Sequence, residues 1–511
     1  MRILYNTCVA DPFLLVAQRM QKEYGCEPVY WIGYNYDNSE TTVRQAFPEI
    51  CYQSYHDAWR CIFPENIKEK AASSYLDIDL LNKLSRYELQ AIKMMDRLDY
   101  DTYSFNYMER ERHYLNLLKS WMACLDIYKP DIIVSAVNPH RVYDYVLYLL
   151  CRERKIPFMC FQYSMCRERI YSTDNFYTIG DIFERDYKRY LTEGNLEKEK
   201  LPEEIRLQYE KVLGDYENAK PSYMKTHDVN NKKYTNLYFL AKLFFKKYKI
   251  FGRDGVFFKG VSVTMMKIRG FSLEYSKLSV LGIIRKDFVR RSMQKAMHKY
   301  YNTLISKPTD NIKYILFPLH YQPEATTSPA GDMFVNQRLC IETLLKYTPD
   351  DYFIYVKEHP QQFMSHMLGQ TSRIKEFYTD IIASHRVKLM PLEMDSYSLM
   401  RNATAVATVT GTVGWEALMH RIPVILFGMI WYEKMPGVLR IMDSVSASGI
   451  TTFVNSYTFD ERKILAYLMA FADNSIVAYH YNGRKEKINI DEDTCVENIV
   501  NEILRFIKKH K

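Results

Sequence analysis

The stretch Ala405-Val406-Ala407-Thr408-Val409-Thr410-Gly411-Thr412-Val413-Gly414-Trp415-Glu416-Ala417-Leu418 decides how this chain is read. An apolar, β-branched run of strand length gives way at Gly411 to residues that continue as a helix. A second apolar run follows at 423–427. Strand, glycine turn, helix, strand is a βαβ unit, and it requires parallel pairing of its two strands. The turn is also a candidate anion site. Thr410, Gly411 and Thr412 stand where backbone N–H groups and the positive helix end gather. Gly411 and Gly414 let a backbone approach a phosphate closely. Glu416, one turn on, is placed to accept hydrogen bonds from ribose hydroxyls. An ordinary capped turn without a ligand would use the same residue types.

Working outward, the alternation continues on both sides. Strands are expected at 313–319, 352–357, 387–390, 405–410 and 423–427. Helices are expected between them at 333–347, 371–383, 395–402 and 412–420, and near 458–473 and 494–509. Ligands of open α/β sheets sit beyond the carboxyl ends of strands, so the residues just past each strand matter most. Past 352–357 comes Lys357-Glu358-His359-Pro360, where the proline turns the chain, His359 offers an imidazole and Lys357 a positive charge. A plain strand terminator with a surface histidine is the simpler reading. Past 313–319 comes Pro318-Leu319-His320-Tyr321-Gln322-Pro323-Glu324-Ala325-Thr326, dense in polar groups that include His320 and Glu324. Such density suits a ligand or a polar interdomain loop.

The first part of the chain repeats the alternation. Strands are expected at 2–9, 28–32, 131–136 and 157–161, with helices at 12–24, 109–127 and 142–154. Residues 36–107 read as irregular, with helical character near 79–98, and 180–230 as charged helix. Asn138-Pro139-His140-Arg141-Val142-Tyr143-Asp144 joins a strand to a helix. His140 and Asp144 are four apart and share a helix face; the pair is a candidate general base. Alternatively Asp144 is a first-turn acid on the helix dipole and His140 its neighbour. Arg167 and Arg169 follow the next strand and are candidates for binding an acceptor. The expected organisation is an α/β chain with two Rossmann-like domains, 1–180 and 311–480. A basic helical insertion at 181–310 separates them, and a C-terminal helix at 481–511 crosses back to the first domain.

The chain has 511 residues, enough for two or three domains, and a formal net charge of +8. That charge is unevenly placed. Residues 231–300 hold 17 Lys and Arg against three acids, a local +14, so the rest of the chain is net −6. Aromatic residues are interleaved there, as in Phe244-Phe245-Lys246-Lys247-Tyr248. Lysines drawn to anionic headgroups and rings settling at the interface suit a membrane surface. Single-stranded nucleic acid and a plain solvated insertion suit the same composition; the membrane surface is the expectation carried forward, with no nucleic acid. The ten cysteines contain no C-x-x-C and no zinc spacing with histidine, so reduced thiols and no metal are expected. No apolar run approaches transmembrane length and no signal-peptide core forms, so a cytoplasmic chain on the inner face of the membrane is expected. Asp77-Ile78-Asp79 lacks the strand context of a metal-binding D-x-D, and Asp491-Glu492-Asp493 reads as the acidic start of the last helix.

The stretches at 318–326, 357–360 and 410–432, in this order, resemble the capsular polysaccharide biosynthesis and Kdo-transferase-like glycosyltransferases of GT-B architecture. The stretch at 138–158 is similar to the first half of the same group. The resemblance implies two Rossmann-like domains facing a cleft and metal-independent transfer of a sugar from a nucleotide donor, commonly a CMP-activated ulosonic acid. It implies that His359, Pro360, Thr410, Gly411, Thr412 and Glu416 bind the nucleotide, with Lys357 and Gly414 as candidates beside them. From the residues themselves, His320 and Glu324 are candidates at the reacting centre, with Asp144 or His140 as base. A nucleotide-sugar epimerase, a CDP-polyol phosphotransferase and a non-catalytic scaffold of polysaccharide assembly are the alternatives.

Overall fold

The computed structural model describes all residues except 9, 35–38, 100–104, 167, 193–195, 215–279, 365–366, 481–487, 489 and 511. The chain divides into two compact units. One comprises Met1–Met95, Tyr107–Gln208 and Asp460–Lys511; the other comprises Asp96–Asn106 and Tyr209–Phe459.

The first unit is built on β1 (Arg2–Asn6), β2 (Glu27–Gly33), β3 (Cys51–Ser54), β4 (Ile132–Ser135), β5 (Phe158–Tyr163), β6 (Arg169–Thr173) and, far downstream, β13 (Ile476–Val477). Their order is β13-β6-β5-β4-β1-β2-β3. The pairs among β1 to β5 are parallel, while β6 runs antiparallel to both β5 and β13. β4 is buried throughout and β5 in all but its last residue, as a parallel sheet covered on both faces requires. The last helix, Glu492–His510, lays Val496, Ile499, Ile503 and Phe506 into the core beside Ile3 and Val134. That spacing is one face of a helix.

The second unit carries β7 (Lys313–Pro318), β8 (Tyr352–Lys357), β9 (Val387–Leu389), β10 (Ala405–Thr408), β11 (Val424–Leu426) and β12 (Val438–Arg440). All are parallel, in the order β12-β11-β10-β7-β8-β9. This is the Rossmann order, with its switch point between β7 and β10. Register fixes the site. Pro318 pairs with Lys357 across β7 and β8, and Val406 pairs with Leu316 across β10 and β7, which puts Thr408 level with Pro318. Three loops therefore leave the sheet at one height. The α/β class and the two Rossmann-like units agree with the sequence reading.

Several elements differ from expectation. Residues 36–107 hold β3, which was not expected, and the helix Ile78–Met94, where helical character was; Asp77 caps it by accepting the amides of Asp79 and Leu80 at 2.8 and 3.2 Å. The strands β6, β12 and β13 were not anticipated. Residues 460–480 join the first unit: the helix Glu461–Asp473 packs Tyr467 and Phe471 on Phe183 of the helix Asp181–Thr192. Of the basic segment, the helix Val280–Leu304 is described; 231–279 lie outside the described residues. No helix among the described residues is long and apolar enough to cross a membrane.

Arg169 opens β6 and ties it to the chain ahead of β13. Nε donates to the Ser475 hydroxyl at 2.9 Å and Nη2 to the carbonyls of Ala472 and Ser475 at 2.8 Å, while Nη1 pairs with Glu204. The guanidinium is thus spent on the fold, which corrects its expected role in acceptor binding; Arg167 lies outside the described residues. Arg169→Ala leaves two carbonyls and a carboxylate short of donors. A loss of about 2–4 kcal/mol in urea-unfolding stability is expected.

Candidate functional site

A buried ion pair organises the carboxyl edge of the second sheet. Glu358, fully buried just past β8, accepts from Arg373 Nε at 2.8 Å and from the Tyr378 hydroxyl at 2.7 Å on Oε2, and from the His359 amide at 2.7 Å on Oε1. Arg373 Nη2 reaches on to the carbonyl of His320 at 3.2 Å. Gln337 completes the clamp: its Oε1 accepts the His320 amide at 2.7 Å and its Nε2 donates to the His320 carbonyl at 3.1 Å.

The His320 ring then joins the third loop. Its Nε2 accepts the amides of Val409 and Thr410 at 3.2 and 3.3 Å and stands 3.1 Å from the Thr408 hydroxyl. A ring nitrogen that accepts carries no proton, so this network assigns the proton to Nδ1, which faces Glu324 Oε1 at 3.4 Å. Burial pushes the Glu324 carboxyl up, but hydrogen bonds from His320 and Thr327 outweigh it and hold the group below its usual range. Glu324 is an ionised carboxylate here. His359 is a neutral donor. Its Nδ1 accepts the Gln361 amide at 3.2 Å, which leaves the proton on Nε2. Burial draws its pKa down to about 4, against the pull of Glu324 and Glu358.

At the Thr/Gly turn, two of the three amides expected to be free are spent within the fold. Thr410 N–H is spent on His320 and Gly411 N–H on the Thr408 hydroxyl at 3.1 Å. Thr412 and Val413, opening the helix Thr412–Met419, have amides with no acceptor among the described residues. The Thr410 hydroxyl is buried and also without a partner. The glycines answer to packing. A Cβ on Gly411 would crowd Thr408 Oγ1 and His320 Cε1, and one on Gly414 would enter the Tyr432 ring. Tyr432 donates its hydroxyl to the Gly411 carbonyl. Burial lifts Glu416 to about 7, with hydrogen bonds from Thr412 and Tyr397 opposing. Lys357 is buried and donates to the Ser396 hydroxyl at 2.9 Å. Pro360 is exposed at the start of a short 3-10 turn, Pro360–Phe363.

The first unit has its own switch point, between β1 and β4. Asp144 lies in the first turn of the helix Val142–Glu153 with no exposure; Oδ1 accepts the Arg141 amide at 2.8 Å and Oδ2 the His140 amide at 3.3 Å. It closes the helix end, and this corrects its candidacy as the base. His140 Nδ1 is 2.9 Å from the Asn138 carbonyl and 3.7 Å from Asp144 Oδ2. A proton on Nδ1 leaves Nε2 as the basic atom. Sequence reading passed over Arg141, Gln337, Thr408, Glu358 and Arg373. Glu358 stood in view inside a quoted stretch; Arg373 carried no motif.

Residues 274–443, which contain every strand of the second sheet and all three loops, match the family described as capsule polysaccharide biosynthesis protein. The chain resembles that family. The capsule polysaccharide modification protein LipA of Neisseria meningitidis serogroup A / serotype 4A (strain DSM 15465 / Z2491) is 32% identical over 94 residues, 18% of this chain and 12% of LipA. Its serogroup B counterpart (strain ATCC BAA-335 / MC58) is 32% identical over 113 residues, 21% of this chain and 15% of LipA. The match thus spans well under a fifth of these relatives. Among solved structures, the Thermosulfurimonas dismutans KpsC β-Kdo 2,7 transferase aligns over 75% of this chain and 89% of its own, at 10% identity and a TM-score of 0.30. The Methanocaldococcus jannaschii UDP-GlcNAc 2-epimerase aligns over 92% and 99%, at 10% identity and a TM-score of 0.23.

The His359 shift has a stability consequence. An unfolded histidine titrates near 6.5, and this one near 4 when folded. Between those values the unfolded chain takes up a proton that the folded chain refuses. Stability is therefore lost as pH falls from about 6.5 towards 4 and is pH-independent, for this group, above that window. His359→Asn should remove about 2–3 kcal/mol of that loss. Urea unfolding of both proteins at pH 7.5, 6 and 5 checks this.

Proposed function

We propose that this chain is a glycosyltransferase of surface-polysaccharide synthesis that transfers a sugar from a nucleotide donor, a CMP-activated ulosonic acid such as Kdo or a sialic-acid-like sugar, to a glycan acceptor without a metal. One observation carries the reading: the buried, unpartnered Thr410 hydroxyl lies beside the open amides of Thr412 and Val413 at the switch point of the family-matched segment. Neutral N–H donors on a helix end suit a phosphate and meet the charge that grows on it as the leaving group departs. His359 Nε2–H adds a further neutral donor. Glu416, near half-protonated at neutral pH, accepts from the ribose. On the first unit, His140 Nε2 takes the proton of the attacking hydroxyl, and Asp144 stabilises the imidazolium that forms.

The test is a panel of CMP, UDP and GDP sugars offered with acceptor in EDTA. CMP sugars are expected to be consumed with transfer. A strict divalent requirement would sink the metal-free picture, and isomerisation without acceptor would favour an epimerase. His140→Ala is expected to lower transfer by about 100-fold or more with donor binding intact. Thr410→Val should weaken CMP binding about tenfold.

The proposal includes a membrane surface. The outer face of the helix Val280–Leu304 exposes Phe288, Val289 and Met293 together with Arg285, Lys295 and Lys299. Rings and cations on one face suit an anionic interface. Co-sedimentation with vesicles containing anionic lipid is expected to fall in salt and in a Phe288→Ser/Met293→Ser variant. Binding indifferent to salt, lipid charge and these residues would refute it.

A further inference from the structure

Arg141 is the residue that the first unit leaves unexplained. It stands beside His140 at the switch point between β1 and β4, as the cap residue of the helix Val142–Glu153. Its guanidinium lies over the rings of Tyr55, at 4.4 Å, and Trp59, at 5.4 Å, both from the short helix that follows β3. Its backbone amide is held by Asp144. The guanidinium itself makes no hydrogen bond and no ion pair with any described residue, and its Nη1 is buried without a partner. Arg169, Arg373 and Arg386 behave differently: each spends its donors on carbonyls and carboxylates of the fold. A charged donor left unsatisfied costs more than a neutral one. The nearby charge of Asp144 and the stacking of two rings offset part of this, and the rings hold the planar fork in place.

We infer that Arg141 binds an oxyanion, a carboxylate or a phosphate, of an acidic glycan acceptor, next to the imidazole that activates the attacking hydroxyl. The planar fork matches two oxygens of either group. This deepens the proposed function and rests on the first unit being the acceptor side. It gives the chain a preference that an unselective hydroxyl site lacks: acceptors carrying a negative charge near the growing end.

Titration calorimetry on the full chain tests it with three probes, a uronic-acid oligosaccharide, a glycerol-phosphate oligomer and a neutral oligosaccharide of equal length. The wild-type protein is expected to bind at least one anionic probe tenfold or more tightly than the neutral one. Preference for the uronic-acid probe assigns a carboxylate, and preference for the other assigns a phosphate. Arg141→Gln should bind all three alike, and Arg141→Lys should keep only part of the preference, because it retains charge without the fork. Equal binding of charged and neutral probes by the wild type overturns the inference, as does an undiminished preference in Arg141→Gln. CMP titration of the same proteins reports separately on the second unit. A wild type that prefers the anionic probe but ignores CMP would fail the donor reading and leave this one standing; an unchanged urea-unfolding curve for Arg141→Gln shows that the variant is folded.

Discussion

The second unit depends on Glu358 and Arg373. Taking both charges out of water costs several kcal/mol per ion, and such a pair seldom stabilises a fold by itself. This one is completed by the Tyr378 hydroxyl, the His359 amide and the His320 carbonyl. What it achieves is placement. One carboxylate sets the backbone that carries His359, and its partner sets the backbone that carries His320. The His320 ring then fixes the amides of Val409 and Thr410. Three loops that register delivers to one height are locked together by one chain of hydrogen bonds.

The two units present different groups at the same topological position. At the β7/β10 switch point the groups offered are neutral: a threonine hydroxyl, two amides and an imidazole N–H. Such donors suit an anion whose charge grows during reaction, since they require no counter-ion and no proton exchange. At the β1/β4 switch point the groups are a cation held between rings and an imidazole whose basic nitrogen is set by its neighbour's carbonyl.

Legibility followed the physics of each element. The strands β7, β8 and β10 were plain in the sequence because a parallel sheet covered on both faces demands unbroken apolar runs. β3, β12 and β13 are two to four residues long and carry no such run. The site was legible as positions but not as roles. Gly411 and Gly414 were noticed for the right local reason, close approach, but what approaches is Thr408, His320 and Tyr432. Arg169 and Arg141 look equivalent on paper. Only the fold shows that Arg169 meets carbonyls more than 300 residues away, while the Arg141 guanidinium meets none among the described residues. Asp144 and His140 are four apart as read, yet the fold turns the carboxylate back onto the amides of Arg141 and His140 and the imidazole onto the Asn138 carbonyl.

The basic segment changes meaning where it is described. The helix Val280–Leu304 is no appendage: Tyr301 donates to the Met390 carbonyl and its hydroxyl accepts the Glu358 amide, at 2.7 and 3.2 Å. Gln294 donates to the carbonyls of Met364 and Met367, and Arg290 also donates to Met367, all past the His359-Pro360 turn. The family match begins at 274, inside this segment, so helix and sheet belong to one module. One face of the helix supports the loop that carries His359, and the opposite face bears cations and apolar side chains. Because the helix is bonded to the loop that carries His359, its outer face and that loop are held in one fixed relation, with no flexible linker between them.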